Sequence, residues 1–164
     1  MKRIMTLSIL AIFFAIAFSA CEKEKKICDN FAKQGISDKN ALIGEWKFEC
    51  FGYTINGNTI RKKRNKIDKK ISVSFYEWGM FSLHYWNNFL GPYTTNNTNE
   101  ITIIIDRQTE LLPPVANQME EAQKEIDFSK YFSNAICYKI DNENLYIHTK
   151  KVNGYNVLIL KKGE

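Results

Sequence analysis

The side chains of this chain that could catalyse a reaction or bind a metal are few, and their spacing matches no common site. The two histidines, His84 and His148, stand alone, and the chain contains no His-x-x-x-His or Cys-x-x-Cys pair. No Gly-x-Ser-x-Gly motif marks a nucleophile, and the eight glycines occur singly, so they form no phosphate-binding loop. We therefore expect no catalytic activity, no cofactor and no metal.

Two carboxylates near the middle of the chain have a spacing that needs interpretation. Glu121 and Glu125 stand four residues apart, so they would share one face of a helix, beside Lys124. Such a pair could act as general acid and base, but like charges at this spacing are typical of a solvated helix face. The buried face is predicted to carry the apolar residues at helical spacing, Val115, Met119, Ala122 and Ile126. A broken second piece of helix is predicted over residues 127–132.

Cys21 has a position that predicts covalent modification. Two basic residues open the chain, an apolar run of residues 4–18 follows, and small residues precede the cysteine. The run is shorter than the about 20 residues of a transmembrane helix and has the length of a secretory signal. Residues 18–21 resemble the bacterial lipobox, with Phe18 where Leu is usual. The resemblance implies that Cys21 receives diacylglycerol and becomes the acylated first residue of the mature protein.

The predicted anchor also indicates a location and a first partner. Glu22 differs from the Asp that is associated with retention in the inner membrane, so the resemblance points to the bacterial outer membrane. Whether the protein faces the periplasm or the cell surface is left open. The membrane itself, reached through the N-terminal lipid, is the first expected partner.

Composition limits what the mature chain can be. Without residues 1–20, 144 residues remain, which is one domain of ordinary size. The signal holds two of the 23 basic residues and none of the 18 acidic ones, so the mature charge is +3. This mild charge, together with export, argues against nucleic acid as a partner. Frequent Val, Ile, Phe, Tyr and Thr favour strands.

Three further cysteines leave the disulfide state open. An oxidising envelope permits one disulfide among Cys28, Cys50 and Cys137 and leaves one thiol over. Alternation places Cys50 on the buried strand face of Trp46 and Phe48, whereas Cys137 is predicted to face outward. This difference disfavours a bond between Cys50 and Cys137, and no pairing is predicted.

The order of elements predicts the fold class. A polar tether is expected over residues 21–41 and one folded domain over residues 42–164. Strand patterns occupy residues 42–53, 71–76, 80–86, 93–95, 100–106, 135–140, 145–149 and 155–161. Residues 87–92 read as a loop, and the last three strands as a meander. We predict an α+β fold that is mainly antiparallel β, with a small curved sheet or partial barrel and one covering helix.

Several of these residues also form a recognisable series. Residues 42–46 read Leu-Ile-Gly-Glu-Trp, and a second series keeps Asn87, Phe89, Gly91 and Tyr93. In this order they resemble the META domain of bacterial envelope lipoproteins similar to the heat-inducible protein HslJ, over residues 42–161. Trp86 and Pro113 stand where that family has cysteines, so no redox or disulfide role is carried over. The resemblance implies a META-like fold and a non-enzymatic protein linked to stress tolerance.

The basic run in residues 61–70 is the first candidate interaction surface. Its candidate contact residues are Arg61, Lys62, Lys63, Arg64 and Lys66, and its position predicts a hairpin loop. Anionic lipid headgroups or lipopolysaccharide phosphates would be its partners in the envelope. The alternative is a solvated loop near an anionic membrane.

An aromatic loop is the second candidate. Its residues Trp86, Asn87, Phe89 and Tyr93 could form a surface for a ligand or an envelope protein, because aromatic anchors dominate interface energetics. The alternative is a buried corner in which the Asn side chains bond the loop backbone.

These features of the sequence are compatible with three functions. The first is a lipid-anchored, non-catalytic envelope protein that acts in stress protection or through protein contacts. The second is a lipocalin-like carrier of a small ligand, which requires an apolar cavity and is disfavoured if Trp46, Phe48 and Phe75 fill the interior. The third is an inhibitor of an envelope-directed hydrolase.

Overall fold

A computed structural model describes residues 27–30, 38–55, 59–63, 71–85, 87–96, 99–109, 118–152 and 155–163. Residues 27–30 are helical. The helices that follow are α1 (Lys39–Leu42) and α2 (Gln118–Ser133). The strands are β1 (Gly44–Ile55), β2 (Thr59–Lys63), β3 (Ser72–Phe75), β4 (Met80–His84), β5 (Asn88–Thr95), β6 (Ile101–Ile103), β7 (Arg107–Gln108), β8 (Ala135–Asp141), β9 (Asn144–Val152) and β10 (Tyr155–Lys162). The predicted signal peptide and Cys21 lie outside the described residues.

The strands form one curled antiparallel sheet. Their order is β6-β5-β4-β3-β1-β10-β9-β8, with β2 paired to β1 and β7 paired to β5. The two ends of this order approach each other, since Glu100 forms a β-bridge with Cys137 and the amide of Tyr138 donates to the Asn99 carbonyl at 3.0 Å. The predicted α+β fold with a partial barrel is confirmed, and β8, β9 and β10 form the predicted meander.

Aromatic side chains fill the inner side of the curled sheet. Phe128 of α2 lies edge-on to Phe48 at 4.9 Å between ring centroids, and Phe132 stacks on Phe81 at 6.4 Å. Trp46 is fully buried, and its Nε1 donates to the Leu42 carbonyl at the end of α1 at 2.7 Å. Trp46, Phe48 and Phe75 all belong to this core. The interior is therefore occupied by the protein's own side chains.

A β-bulge in β1 changes which face of the sheet a cysteine occupies. Phe48 pairs with Leu160 of β10, whereas Cys50 pairs with Ile159, so Glu49 is an extra residue on β1. An extra residue reverses the alternation beyond it. Cys50 is therefore buried on the outer face of the sheet, and the prediction that it shares a face with Phe48 is wrong.

The predicted loop over residues 87–92 is instead mostly strand. β5 pairs with β4 from Asn88 to Pro92, and Gly91 lies inside it. A Cβ at Gly91 would overlap the carbonyl oxygen of Ile104, so the close approach of the neighbouring segment requires glycine there. Asn, Gly and Pro are common in loops, which is why the sequence predicted a loop here. In the structure Asn88, Gly91 and Pro92 belong to β5.

The long helix buries a different face from the predicted one. α2 is continuous through residues 127–132, and its buried residues include Glu125, Phe128 and Phe132. Glu125 is only 5% exposed, whereas Ile126 is 45% exposed. The large aromatic residues in the second half of the helix determine its rotation, because they bury far more apolar surface than Ala122 and Ile126 could.

Candidate functional site

The predicted aromatic binding loop is a buried corner. Phe89 and Tyr93 belong to the inner core, and the Tyr93 hydroxyl donates to the Tyr76 carbonyl at 3.0 Å. Asn87 is also buried. Trp86 lies outside the described residues. Asn87, Phe89 and Tyr93 therefore cannot act as a contact surface, and the buried corner of the alternative interpretation is confirmed for these three. The expected partner of the Asn side chain is wrong, because Asn87 Nδ2 donates to the carboxylate of Glu125 on the helix.

A buried carboxylate holds this corner against the helix. Glu125 accepts two hydrogen bonds from Asn87, one from its backbone amide at 2.6 Å and one from Nδ2 at 2.7 Å. Thr109 completes the network, because its Oγ1 accepts from the Asn88 amide at 2.9 Å and donates to Asn87 Oδ1 at 3.4 Å. Both carboxylate oxygens of Glu125 are thus engaged by one asparagine, which is the arrangement of a structural clamp.

The prediction that Glu125 lies on the solvated side of the helix is wrong, although a pattern in the sequence indicates its burial. Glu125, Phe128 and Phe132 follow the spacing i, i+3, i+7, which is the period of one buried helix face. A helix face chosen by Phe128 and Phe132, and not by Ala122 and Ile126, places Glu125 towards the core.

Three residues of the basic run lie in a strand. Arg61, Lys62 and Lys63 belong to β2, in register with Tyr53, Gly52 and Phe51 of β1 respectively. The prediction of a hairpin loop is wrong for these three residues. Arg64 and Lys66 lie outside the described residues.

A disulfide joins the N-terminal segment to the outer face of the sheet. Cys28 and Cys137 are bonded, with 5.7 Å between their Cα atoms and 109 residues between their positions. They pack with Cys50, Val157 and Ile159 in a second apolar cluster that is separate from the inner core. The outward orientation of Cys137 is correct with respect to the barrel, but Cys137 is fully buried.

Residues 27–30 are consequently part of the folded domain. The Cys28 carbonyl also accepts from Asn99 Nδ2 at 3.4 Å, and the same nitrogen donates to the Tyr138 carbonyl at 2.9 Å. Asn99 is fully buried and has a φ of +61°, a conformation that asparagine tolerates better than most residues. The expectation of a polar tether as far as residue 41 is therefore wrong for residues 27–30.

The two histidines have different environments. His84 is exposed, with Nδ1 2.6 Å from Asn88 Oδ1. His148 is 3% exposed and lies opposite Cys137 and Val157 on the outer face. Burial lowers the pKa of His148 to about 4.

The hydrogen bonds of Asn156, which lies beside His148, indicate that the imidazole ring of His148 is neutral. The Thr54 amide donates to Asn156 Oδ1 at 3.0 Å, so Asn156 Nδ2 is the atom that lies 3.2 Å from His148 Nε2. A nitrogen that faces an amide donor must act as an acceptor, so Nε2 carries no proton.

An exposed apolar surface lies on the other side of the barrel. Trp78 is 74% exposed in the turn between β3 and β4, and its ring stacks on Tyr76 at 4.9 Å with an interplanar angle of 1°. Tyr76 Oη lies 3.1 Å from Ser82 Oγ, and Ser82 pairs with Leu90, which is 37% exposed. We call Tyr76, Trp78 and Leu90 the outer aromatic patch. From the sequence, Trp78 is predicted only as part of a turn.

A shallow cleft of about 390 Å³ lies where β10 ends. Lys47, Glu143, Lys161, Lys162 and Gly163 line it. Lys161 forms an ion pair with Glu143 at 3.4 Å, and Lys162 Nζ lies 5.6 Å from the centre of the Trp46 ring. These contacts occupy two of the three lysines with the protein's own groups.

The described residues hold neither a cluster of metal ligands nor a helix suited to cross a membrane. Within the part of the chain that the structure describes, no group of three or more His, Cys, Asp and Glu side chains is arranged to hold a metal ion. Among the described helices, none combines the length and apolar character that crossing a bilayer requires.

Comparison with known proteins identifies a similar fold. No family model and no curated protein matches the sequence. The structure resembles the crystal structure of a DUF4847 family protein from Bacteroides vulgatus, with a TM-score of 0.50 and 18% sequence identity. The alignment covers 75% of this chain and 94% of that one. At this identity the likeness concerns the fold alone.

Proposed function

We propose that this chain is a lipid-anchored protein of the bacterial outer membrane that has no catalytic role and acts through contacts with other envelope proteins, in the manner of a stress-protection factor. The observation that carries the proposal is the Cys28–Cys137 disulfide. Structural disulfides form and persist in oxidising compartments such as the bacterial envelope and are rare in the cytosol. The bond thus supports export, which the pattern before Cys21 predicts independently.

The outer aromatic patch supports a role in protein contacts. A stacked Trp–Tyr pair offers a large, pre-ordered surface at a low entropy cost, and such residues are enriched among the energetic centres of interfaces. Trp78 is largely exposed and Leu90 is partly exposed in the isolated domain, so a partner could cover the surface that remains accessible.

The filled interior disfavours the carrier alternative. A ligand inside the barrel would compete with Phe128 and Phe132, which occupy the space against Phe48 and Phe81. The proposed contact between the basic run and anionic headgroups involves side chains outside those that the structure describes. We expect it to contribute less to membrane attachment than the lipid anchor.

The anchor is tested by expressing the full chain in a Gram-negative host. We expect the mass of the N-terminal peptide to show acylated Cys21, and we expect the protein to fractionate with outer membranes. A Cys21→Ser variant should lack the acyl groups and should no longer fractionate with outer membranes. An unmodified Cys21 in the wild type would contradict the proposal.

The contact role is tested by photo-crosslinking in the same cells. A photoreactive residue at position 78 should form a discrete crosslinked product. The matched control is position 126, because Ile126 is also an exposed apolar residue but lies on α2. Equal crosslinking at both positions, or none at position 78, would remove the outer aromatic patch from the proposal.

A further inference from the structure

We infer that the Cys28–Cys137 disulfide decides which side of the domain faces the membrane, by making the outer face of β8, β9 and β10 the membrane-proximal surface. The inference rests on the proposed lipid anchor at Cys21. The outer face of β8, β9 and β10 would then lie next to the lipid surface, and the outer aromatic patch would lie on the opposite side of the domain.

The length of chain between the lipid and the domain limits which side of the domain can face the membrane. Residues 22–27 separate Cys21 from Cys28, and a fully extended segment of this length spans at most about 25 Å. If residues 27–30 detach when the disulfide is open, the link runs to Asp38, and the corresponding limit is about 60 Å. The disulfide thus shortens the maximum reach of the anchor by more than half.

The size of the domain determines whether a link of each length allows the lipid to reach its far side. A domain of about 140 residues is roughly 35 Å across, as its expected radius of gyration implies. A link of about 25 Å from Cys28 cannot pass around such a body to its far side, whereas a link of about 60 Å can. With the disulfide closed, the side that carries Cys137 must stay near the lipid.

The strand order identifies the two sides. In the series β6-β5-β4-β3-β1-β10-β9-β8, whose ends meet at Glu100 and Cys137, β9 and β4 stand four positions apart in a ring of eight. They therefore lie on opposite walls of the barrel. The outer aromatic patch, on the β3–β4 turn and β5, belongs to the far wall and points away from the membrane.

The test uses the lipidated full-length protein in nanodiscs of phosphatidylethanolamine and phosphatidylglycerol that contain a gadolinium-chelating lipid. Paramagnetic broadening of backbone amide signals reports each strand's distance from the headgroups. We expect several-fold stronger broadening for β9 than for β4. In Cys28→Ser the ratio should fall towards one, whereas Cys50→Ser, which removes a thiol that lies outside the disulfide, should keep the wild-type ratio.

A second variant covers the case in which Cys28→Ser folds poorly. A Gly-Ser insertion of about twelve residues after Lys23 lengthens the link while the disulfide stays intact, and it should also abolish the difference between β9 and β4. Equal broadening of both strands in the wild type would overturn the inference, as would an unchanged ratio in the lengthened protein.

The two possible failures can be told apart. If cells leave Cys21 unmodified, the lipid anchor fails as a proposal, and a maleimide lipid coupled to the Cys21 thiol of the mature chain allows the same measurement. A β9-to-β4 difference in that preparation supports the effect of the disulfide on orientation, and its absence refutes it.

Discussion

The two faces of the sheet formed by β1, β10, β9 and β8 are both buried, but they are covered in different ways. On the inner face, α2 inserts Phe128 and Phe132 into an aromatic core. On the outer face, Cys28 from the N-terminal segment joins a small cluster around Cys137 through a disulfide. The inner face therefore relies on the amount of apolar surface buried, and the outer face on a covalent bond. A small apolar cluster contributes less burial, so a crosslink is the more effective way to keep it covered.

The difference also divides the functions of the two faces. The inner face closes the barrel and leaves its interior to the protein's own side chains. The outer face holds the segment that leads to the predicted lipid. Damage to the inner face should unfold the domain, whereas damage to the outer face should loosen the connection to the membrane that we propose.

The largest expected effect is on the inner face. Phe128→Ala should lower the free energy of unfolding by about 3–5 kcal/mol, because it leaves a cavity beside Phe48, Phe51 and Phe132. Urea denaturation measures it. Ile126→Ala, two residues away and 45% exposed, is the control and should change stability by less than about 1 kcal/mol. Similar losses in both variants would mean that α2 does not cover the core as described.

Opening the outer-face disulfide should cost somewhat less. Cys28→Ser should lower the free energy of unfolding by about 2–5 kcal/mol, since the bond closes a long loop of the unfolded chain. Treatment of the wild type with dithiothreitol should reproduce the loss, and the same treatment should leave Cys28→Ser unchanged. If the reduced and oxidised wild type unfolded at the same urea concentration, the outer face would not depend on the crosslink.

The buried histidine should make the outer face sensitive to acid. The unfolded chain binds a proton at His148 near pH 6.5, but the folded protein does so only near pH 4, where burial places its pKa. The unfolded state therefore holds more protons between these values, and stability should fall as the pH is lowered from about 6.5 to 4, by up to about 3 kcal/mol. Urea denaturation at several pH values measures the slope. His148→Gln should flatten this part of the profile and the exposed His84→Gln should not, and equal slopes in both would contradict the assignment.

The hydrogen bonds between Glu125 and Asn87, at the corner between β4 and β5, should also stabilise the domain from its inner face. Glu125→Ala should lower the free energy of unfolding by about 2–3 kcal/mol, because two donors of Asn87 lose a charged acceptor. The control is Gln123→Ala, an exposed position on the same helix, measured by the same urea denaturation. A Glu125→Ala protein as stable as this control would show that water replaces the carboxylate.

The smallest effect on stability is expected at the outer aromatic patch. Trp78→Ala should lower the free energy of unfolding by less than about 1 kcal/mol, because the ring is largely exposed and keeps only its stack on Tyr76. Under the proposed role in protein contacts, the same substitution should reduce the yield of proteins that co-purify with the chain after crosslinking. A loss of several kcal/mol in thermal or urea unfolding would show that Trp78 is a structural residue.

Local patterns in the sequence predicted much of the fold. The meander β8–β10 was readable because its strands alternate and its first turn carries turn residues, among them Asn142 with a φ of +54°. Trp46 and Phe48 were placed correctly in the core by the same alternation. These features depend on residues close together in the chain, whose periods of two and 3.6 reflect strand and helix geometry directly.

Only the tertiary structure decided the features that depend on register and distant contacts. The bulge at Glu49 moved Cys50 to the outer face, and an inserted residue leaves no mark on the local composition. The burial of Glu125 required Asn87, 38 residues away, to supply both donors. The pairing of Cys28 with Cys137 required the whole sheet between them to curl and place the N-terminal segment against β8. Sequence spacing determines which elements form, but the closing of the sheet determines which of their side chains meet.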